Sequence, residues 1–349
     1  MKNVKLVNKL VGDNYPCYYV AEIGGSFQNF KESKRLIDSA IDIGIDAVKF
    51  QTLEAETITT KNNFFDMKAT GKISQYDIFK KFEIPKKIQS DVVNYAKDLG
   101  ITIFTAPSHM EDLKTIDELD VPIIKIGSDL ACHVPLLKQV ASTGKPIILS
   151  TGMCDLEEVK ISVDAITESG NDELILMHCV SNYPSTIDEL NLKTINRMKQ
   201  EFKIPVGFSD HTPGLISTLT SVAMGANIIE RHFRDENNTP SPDDVHALTK
   251  DEFSELINSV RNIEKSFGSD EKTPTNSEKK NLVTNRVSIV AIKEIKKGTI
   301  ISKDMIDIRR PGNGIQPRFF DDVIGKKTNV NISKEQILEW KFFDTIYKK

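Results

Sequence analysis

Four cysteines in 349 residues are too few to frame a fold. None of Cys17, Cys132, Cys154 and Cys179 stands in a Cys-x-x-Cys pair, which argues against a disulfide scaffold and a thiolate metal knuckle. The thiols are read as reduced, in a cytoplasmic protein, with Cys154 and Cys179 as packing residues. The sequence has no apolar run of roughly 18 residues, so no membrane-spanning helix is expected. No apolar stretch follows the N-terminal lysines, so no secretion leader is expected either. Basic residues are not in excess: 46 Lys and Arg face 50 Asp and Glu, for a net charge of −4. That balance supplies no basic face for nucleic acid or an anionic membrane. An anionic substrate would therefore need a local basic site. Low-complexity tracts and internal repeats are also missing.

What is present is an alternation. Short apolar runs recur at Tyr18–Gly24, Ala47–Thr52, Thr102–Pro107, Ile123–Ser128, Pro146–Thr151, Leu174–Val180, Pro205–His211 and Asn227–Phe233. Strands buried on both faces read as continuous apolar runs, and these eight do. Amphipathic stretches lie between them, at Ser33–Ile43, Ile88–Leu99, Leu136–Ala141, Leu156–Thr167, Asn191–Glu201 and Leu215–Met224. Gly44, Gly100, Gly144, Gly170 and Gly225 stand where helices should end. Eight βα units in a row predict an α/β fold, a (β/α)₈ TIM barrel, with a doubly wound sheet as the alternative.

The pattern breaks near Gly268. The barrel is assigned to residues 1–265, a polar, breaker-rich linker to 266–284 and a small β-rich domain to 285–349. In that last domain, strand-like runs at Val287–Ile292 and Ile306–Arg309 flank a turn at Lys296–Gly298. Residues 62–76 read as a long irregular loop at the barrel mouth, a lid or a dimer contact.

Barrel active sites form at the C-terminal ends of the strands. The polar residues there include Glu22, Lys49, Gln51, Thr105, Lys125, Ser128, Ser150, Thr151, His178, Ser181, Tyr183, Ser209, His211, Glu230 and His232. His211 and His232 end consecutive strands, and imidazoles so placed can meet at one divalent cation. The competing reading is a pair of hydrogen-bonded core histidines. Glu230, two residues before His232, points to the same face and serves as ligand, orienter or base. Lys49 and Lys125 sit inside apolar strands. A buried ammonium needs an anionic partner, either a bound phosphate or carboxylate or an internal pair with Glu22 or Glu230. His109, His133 and His246 are assigned to loops or helix starts, with an ordinary surface role.

The strings AEIG, VKFQT, KIGS, ILSTGM, HCVSNYP, GFSDHT and IERHF, with RPGNGI in the tail, occur in one order along essentially the whole chain. Together they resemble the N-acetylneuraminate (sialic acid) synthase family, which includes legionaminic and pseudaminic acid synthases. The tail resembles that family's antifreeze-like (SAF) domain. The resemblance implies a transferase that condenses phosphoenolpyruvate with an N-acetylated amino-sugar aldehyde and releases phosphate. The acceptor would be N-acetylmannosamine or a 2,4-diacetamido-trideoxy hexose. It implies a phosphoenolpyruvate site at Lys49, Thr105, Lys125, Ser128, Ser150, Ser181 and Ser209. It places Mn²⁺, with Mg²⁺ or Co²⁺ as substitutes, on His211 and His232. It assigns the sugar side to Glu22, Gln51, Tyr183, Asp243 and Arg310. It also implies a domain-swapped homodimer, in which Arg310 serves the partner's site. Glu22, Lys49, Lys125 and Glu230 are then the catalytic set.

The sequence departs from the family at Gly25–Asn29, at Asp129–Leu130 and at Asn237–Val245, so an unusual acceptor is expected. Three other readings compete. One is a sister condensing enzyme acting on a phosphorylated aldose, without the tail domain. Another is a Schiff-base aldolase or lyase using Lys49 or Lys125. The third is a non-catalytic barrel that binds a sugar acid.

Overall fold

The computed structural model describes residues 2–67 and 71–344. The chain divides into two compact units, Met1–Gly268 and Ser269–Lys349. The first opens with an antiparallel hairpin, β1 (Val4–Leu6) and β2 (Lys9–Val11), which the sequence reading did not anticipate. Val4, Leu6 and Val11 are fully buried. The hairpin bonds to the Lys203 carbonyl and the Glu173 carboxylate, just ahead of two barrel strands, so it lies across the N-terminal end of the barrel.

The strands that follow are β3 (Tyr18–Glu22), β4 (Ala47–Thr52), β5 (Phe64–Met67), β6 (Gly71–Ser74), β7 (Thr102–Pro107), β8 (Ile124–Ile126), β9 (Ile147–Ser150), β10 (Leu174–Cys179), β11 (Val206–Asp210) and β12 (Ile228–His232). β3, β4 and β7 to β12 form a closed parallel barrel, with β12 returning to β3. Closure decides against the doubly wound alternative. All eight predicted strands form, Ala47–Thr52 and Thr102–Pro107 with the expected bounds and the other six trimmed by a residue or two at their ends.

Register fixes which side chains face inward. Glu22 stands beside Lys49 on one side and His232 on the other. Ser209 stands beside Glu230 and Cys179, and Ser150 beside Met177. Side chains alternate along a strand, so these residues share the barrel interior at its C-terminal end. Thr105 pairs with Phe50, which has the opposite parity to Lys49.

The expected helices form, and further ones appear at Gln75–Phe82, Asp112–Leu119 and Lys250–Phe267. The last begins at a capping box, in which Thr249 and Glu252 satisfy each other's backbone N–H groups. It buries Phe253, Leu256 and Val260 and carries the first unit on to Gly268, past the expected boundary at 265. Residues 266–267 of the predicted linker are therefore helical. So is one turn at its other end, Asn281–Thr284.

The described part of residues 62–76 is largely regular, not a loop. β5 and β6 pair as an antiparallel hairpin that leads into the helix at Gln75; residues 68–70 lie outside the described residues.

The second unit pairs β13 (Ser288–Ala291) with β14 (Ile306–Arg309). Isolated antiparallel bridges extend the arrangement around a core that includes Ile289, Ile301, Ile315, Ile332, Leu338 and Phe343. Gly314 shows why RPGNGI needs glycine: a Cβ there would fall 2.1 Å from Ile337 and 2.8 Å from the Leu338 carbonyl.

Candidate active site

At the C-terminal end of the barrel the inward side chains enclose a cavity of about 550 Å³. Glu22, Lys49, Gln51, Lys125, Ser128, Ser150, Ser181, Tyr183, Ser209, His211, Glu230 and His232 all line it. Asp243 lies in an adjoining pocket that shares Gln51, Tyr183 and His232 with the cavity. Arg310 belongs to the second unit, in the exposed loop after β14.

Thr105 is the exception. Its hydroxyl bonds to Thr52 Oγ1 at 2.9 Å and to the Phe50 carbonyl at 3.1 Å, and it does not line the cavity. Strand parity turns it outward, toward the layer between barrel and helices, so it cannot join a phosphate cradle. His178 is turned outward in the same way. It bonds to the Leu190 carbonyl and stacks on Phe208.

The cavity floor is an ion-pair network. Lys49 Nζ pairs with Glu22 and lies 3.1 Å from Glu230 Oε1. Lys125 Nζ lies 3.1 Å from the same oxygen. All four residues are buried. The internal pairing of the two lysines is thus realised, and the four charges cancel. Burial lifts the Glu22 carboxyl above its usual range, with Lys49 pulling it back and Glu230 pushing it further up. Burial works the same way on Glu230, but Lys125 and Lys49 overcome it and hold this carboxyl down to about 2. Lys125 is lowered by burial and by Lys49. Lys49 is raised, because Glu22 and Glu230 outweigh its burial.

Beside this network stand hydroxyls. Ser128 Oγ accepts from Gly152 N–H at 3.0 Å and lies 3.1 Å from Cys179 Sγ. Gly152 lets these groups converge: a Cβ there would sit 2.3 Å from Ser181 Oγ and 2.9 Å from Ser128 Oγ. Cys179, read from sequence as packing, also lines the cavity. So does Asp129, whereas Leu130 packs against the core.

The histidine wall is larger than the sequence indicated. His211 Nδ1 donates to the Val180 carbonyl at 2.9 Å, which leaves Nε2 with its lone pair toward the cavity. His232 Nδ1 is buried without a hydrogen-bond partner. Burial lowers His211 to about 4 and His232 well below the usual imidazole range, with the neighbouring histidines adding to the second shift. Both are then neutral, the ligating form. Neutral imidazoles, one of them oriented by a carbonyl, fit a divalent cation.

His246 is the correction. It is buried, not a surface residue, and its ring centroid lies 4.8 Å from that of His232. A signal was available: His246 follows Asp243 by three positions in the loop after β12, at the catalytic end of the barrel.

A family model described as the NeuB family matches residues 36–272, and a SAF domain model matches residues 286–344. The chain belongs to the NeuB family. It is 35% identical to the N,N'-diacetyllegionaminic acid synthase of Campylobacter jejuni, over 88% of this chain and 93% of that one. It is 33% identical to the enzyme of the same name from Legionella pneumophila, over 95% and 96%. Among solved structures, the N-acetylneuraminic acid synthetase of Leptospira borgpetersenii superposes with a TM-score of 0.71 at 29% identity, covering 80% of this chain and 95% of that one. This NeuB-family chain is an enzyme of the synthase type. The barrel and the tail domain expected from sequence are those of its family. No helix among the described residues is long and apolar enough to cross a membrane.

Proposed function

We propose that the protein condenses phosphoenolpyruvate with an amino-sugar aldehyde to form a nonulosonic acid and inorganic phosphate. The observation that carries this reading is convergence. Lys49, Lys125, Ser128, Ser150, Ser181 and Ser209 line the same cavity as His211 and His232. The lysines and hydroxyls suit a phosphate and a carboxylate. The imidazoles would hold a divalent cation, for which Mn²⁺ is proposed, and such a cation supplies Lewis-acid polarisation of the aldehyde oxygen.

The lysine and glutamate charges cancel at rest, so an arriving phosphate competes with Glu22 and Glu230 for the two ammoniums. Lys49 and Lys125 then hold the enolpyruvate so that its carbon three faces the aldehyde carbon. The C–C bond forms from the enol π electrons as the aldehyde C=O π bond opens onto its oxygen. That oxygen ends as a hydroxyl with one proton of the added water, while the other leaves with phosphate. Positive charge develops at carbon two. The Glu22 carboxylate, freed from Lys49, offsets that charge and takes a proton from the water that adds there. Phosphate leaves with cleavage of its C–O bond to carbon two, giving the 2-keto acid. A Schiff base at Lys49 would require a neutral amine, and two carboxylates hold it as an ammonium.

The adjoining pocket, about 240 Å³, supports one acceptor class over the other. Gln51, Tyr183 and Asp243 give it a polar side; Leu53, Phe65, Ile78, Phe79, Phe82 and Ile84 give it an apolar one. A 2,4-diacetamido-2,4,6-trideoxy hexose presents three methyl groups, each worth ~0.8 kcal/mol when buried. N-acetylmannosamine presents one methyl and a hydroxylated tail. We therefore propose the diacetamido sugar as acceptor, in a cytoplasmic homodimer where Arg310 of the partner subunit completes the sugar side.

Phosphate release from phosphoenolpyruvate tests the reading. The acceptors are the diacetamido trideoxy hexoses, N-acetylmannosamine and arabinose 5-phosphate, each with Mn²⁺ and with chelator. Release that needs both the diacetamido sugar and the cation is the expected result. Chelator-resistant turnover would remove the cation from the mechanism, and borohydride trapping of a keto acid on the protein would replace that mechanism with Schiff-base chemistry.

A further inference from the structure

The loop after β12 brings three groups together that no hydrogen bond explains. His232 Nδ1 lies 3.7 Å from Asp243 Oδ2, and His246 Nε2 lies 4.0 Å from Asp243 Oδ1. These gaps are too long for hydrogen bonds. Both nitrogens of His246 and Nδ1 of His232 are buried without a hydrogen-bond partner. Buried polar atoms are normally satisfied, so His232 Nδ1 and one nitrogen of His246, flanking the Asp243 carboxylate, call for a shared partner. Among the described residues, ligating atoms of His232, Asp243 and His246 all lie within 4.8 Å of one another.

The spacing is that of ligands around a cation. Two donors bound at ~2.1 Å, with an angle of 90–130° between them, stand about 3.0–3.8 Å apart. The observed gaps close to that range with a shift of a few tenths of an ångström. The rings of His232 and His246 agree. Imidazoles on one cation, at angles of 90–110°, put their centroids about 4.6–5.3 Å apart. The centroids of His232 and His246 are 4.8 Å apart, whereas His211 lies 5.7 and 5.8 Å from them and meets the same cation only at a wider angle of about 120–130°.

We propose that His246 is a third imidazole ligand of the cation held at His211 and His232, with the Asp243 carboxylate as a further oxygen donor. The inference rests on the metal reading above and adds ligands to it. Its consequence is selectivity. Three nitrogen donors suit Mn²⁺, Co²⁺ or Zn²⁺, whereas Mg²⁺ prefers oxygen and water, so Mg²⁺ should substitute poorly. The backbone carbonyl of His246 accepts from Arg231 Nη2 at 3.0 Å, which anchors the loop independently of the imidazole.

The test uses the full-length protein without substrate. Mn²⁺ affinity is measured by titration calorimetry and the Co²⁺ complex by its visible spectrum, for the wild type, His246→Ala and His246→Gln. Loss of a ligand should weaken Mn²⁺ binding by at least ~10–100-fold, the range seen for lesser changes around metal sites. It should also alter the Co²⁺ bands, while metal-free melting stays near wild type. The glutamine variant keeps bulk and polarity, and serves if the alanine variant melts early. Equal Mn²⁺ affinity and an unchanged Co²⁺ spectrum in both variants would overturn the third ligand and leave His211 and His232 standing. A wild type that binds no cation would overturn both readings together.

Discussion

Glu230 is the residue on which the site's electrostatics turn. One of its oxygens meets both ammoniums and lies 3.5 Å from the Ser209 hydroxyl. Glu230→Gln would leave two buried ammoniums with Glu22 alone, so it should destabilise the protein by ~3–5 kcal/mol. An anion bound in the cavity should restore part of that loss. Saturating inorganic phosphate is expected to raise the melting temperature of Glu230→Gln more than that of the wild type; an equal rise would mean that the lysines do not hold the anion. The same carboxylate sets an acid limb. Its folded pKa, about 2, lies below the ordinary value of ~4.3. Its contribution is therefore present above pH ~4.3 and disappears as pH falls through about 2. Denaturation midpoints between pH 5 and pH 2 should fall less steeply for Glu230→Gln than for the wild type. Gly152 gives a gentler probe. Its φ is not in the left-handed region, so a methyl there strains no backbone, but it displaces the Ser128 and Ser181 hydroxyls. Gly152→Ala should melt within a few degrees of the wild type and raise the KM for phosphoenolpyruvate about tenfold or more, the effect of losing a charge-assisted bond. An unchanged KM would remove those two serines from the anion site.

At the scale of elements, Arg231 holds the loops that carry the histidines. It faces away from the barrel interior, fully buried, and pairs with Asp210 Oδ2 at 2.6 Å. It also donates to the carbonyls of Thr212, Gly214 and His246. Asp210 in turn accepts from Thr212 N–H and the Thr218 hydroxyl. The segments after β11 and β12 are thus tied to one guanidinium. Asp210→Asn should cost ~3–5 kcal/mol in chemical denaturation, because it strands that charge. A loss below 1 kcal/mol would show that the carbonyls alone suffice. These elements also mark what the sequence disclosed. Strands of a parallel barrel are apolar on both faces, so all eight stood out. The helices at Asp112–Leu119 and Lys250–Phe267 carry the same amphipathic spacing, with Leu113, Ile116 and Leu119 in one and Phe253, Leu256 and Val260 in the other, and were nonetheless passed over. The β5–β6 hairpin has no compact run of β-formers and a lysine-rich surround. Thr105 and His178 were misassigned because position at a strand end does not give parity, and one residue of register moves a side chain to the other face. His246 escaped because it reaches the site from a loop whose path the alternation of strands and helices does not encode.

At the scale of the molecule, two separate family matches fall on two separate compact units. Each has its own apolar core. A chain needs no second domain to close a barrel, so the tail is best explained by what it adds to the reaction. Arg310 is the side chain through which that can be tested. In a dimer of C₂ symmetry, a loop given by one protomer to the other's site is given twice. Arg310→Ala and His232→Ala should each be inactive alone, the first for want of the sugar contact and the second for want of a ligand. Unfolded together and reassembled, they form mixed dimers in which the intact barrel of the Arg310→Ala chain receives Arg310 of the partner subunit. Such mixing should return about a quarter of wild-type activity, since half the dimers are mixed and each holds one complete site. If Arg310 serves its own barrel, no mixed dimer contains a complete site and activity stays at the level of the separate variants. Recovery on mixing would therefore establish the exchange, and with it a reason for the tail: the Arg310 contact to the acceptor would arrive only when two chains meet.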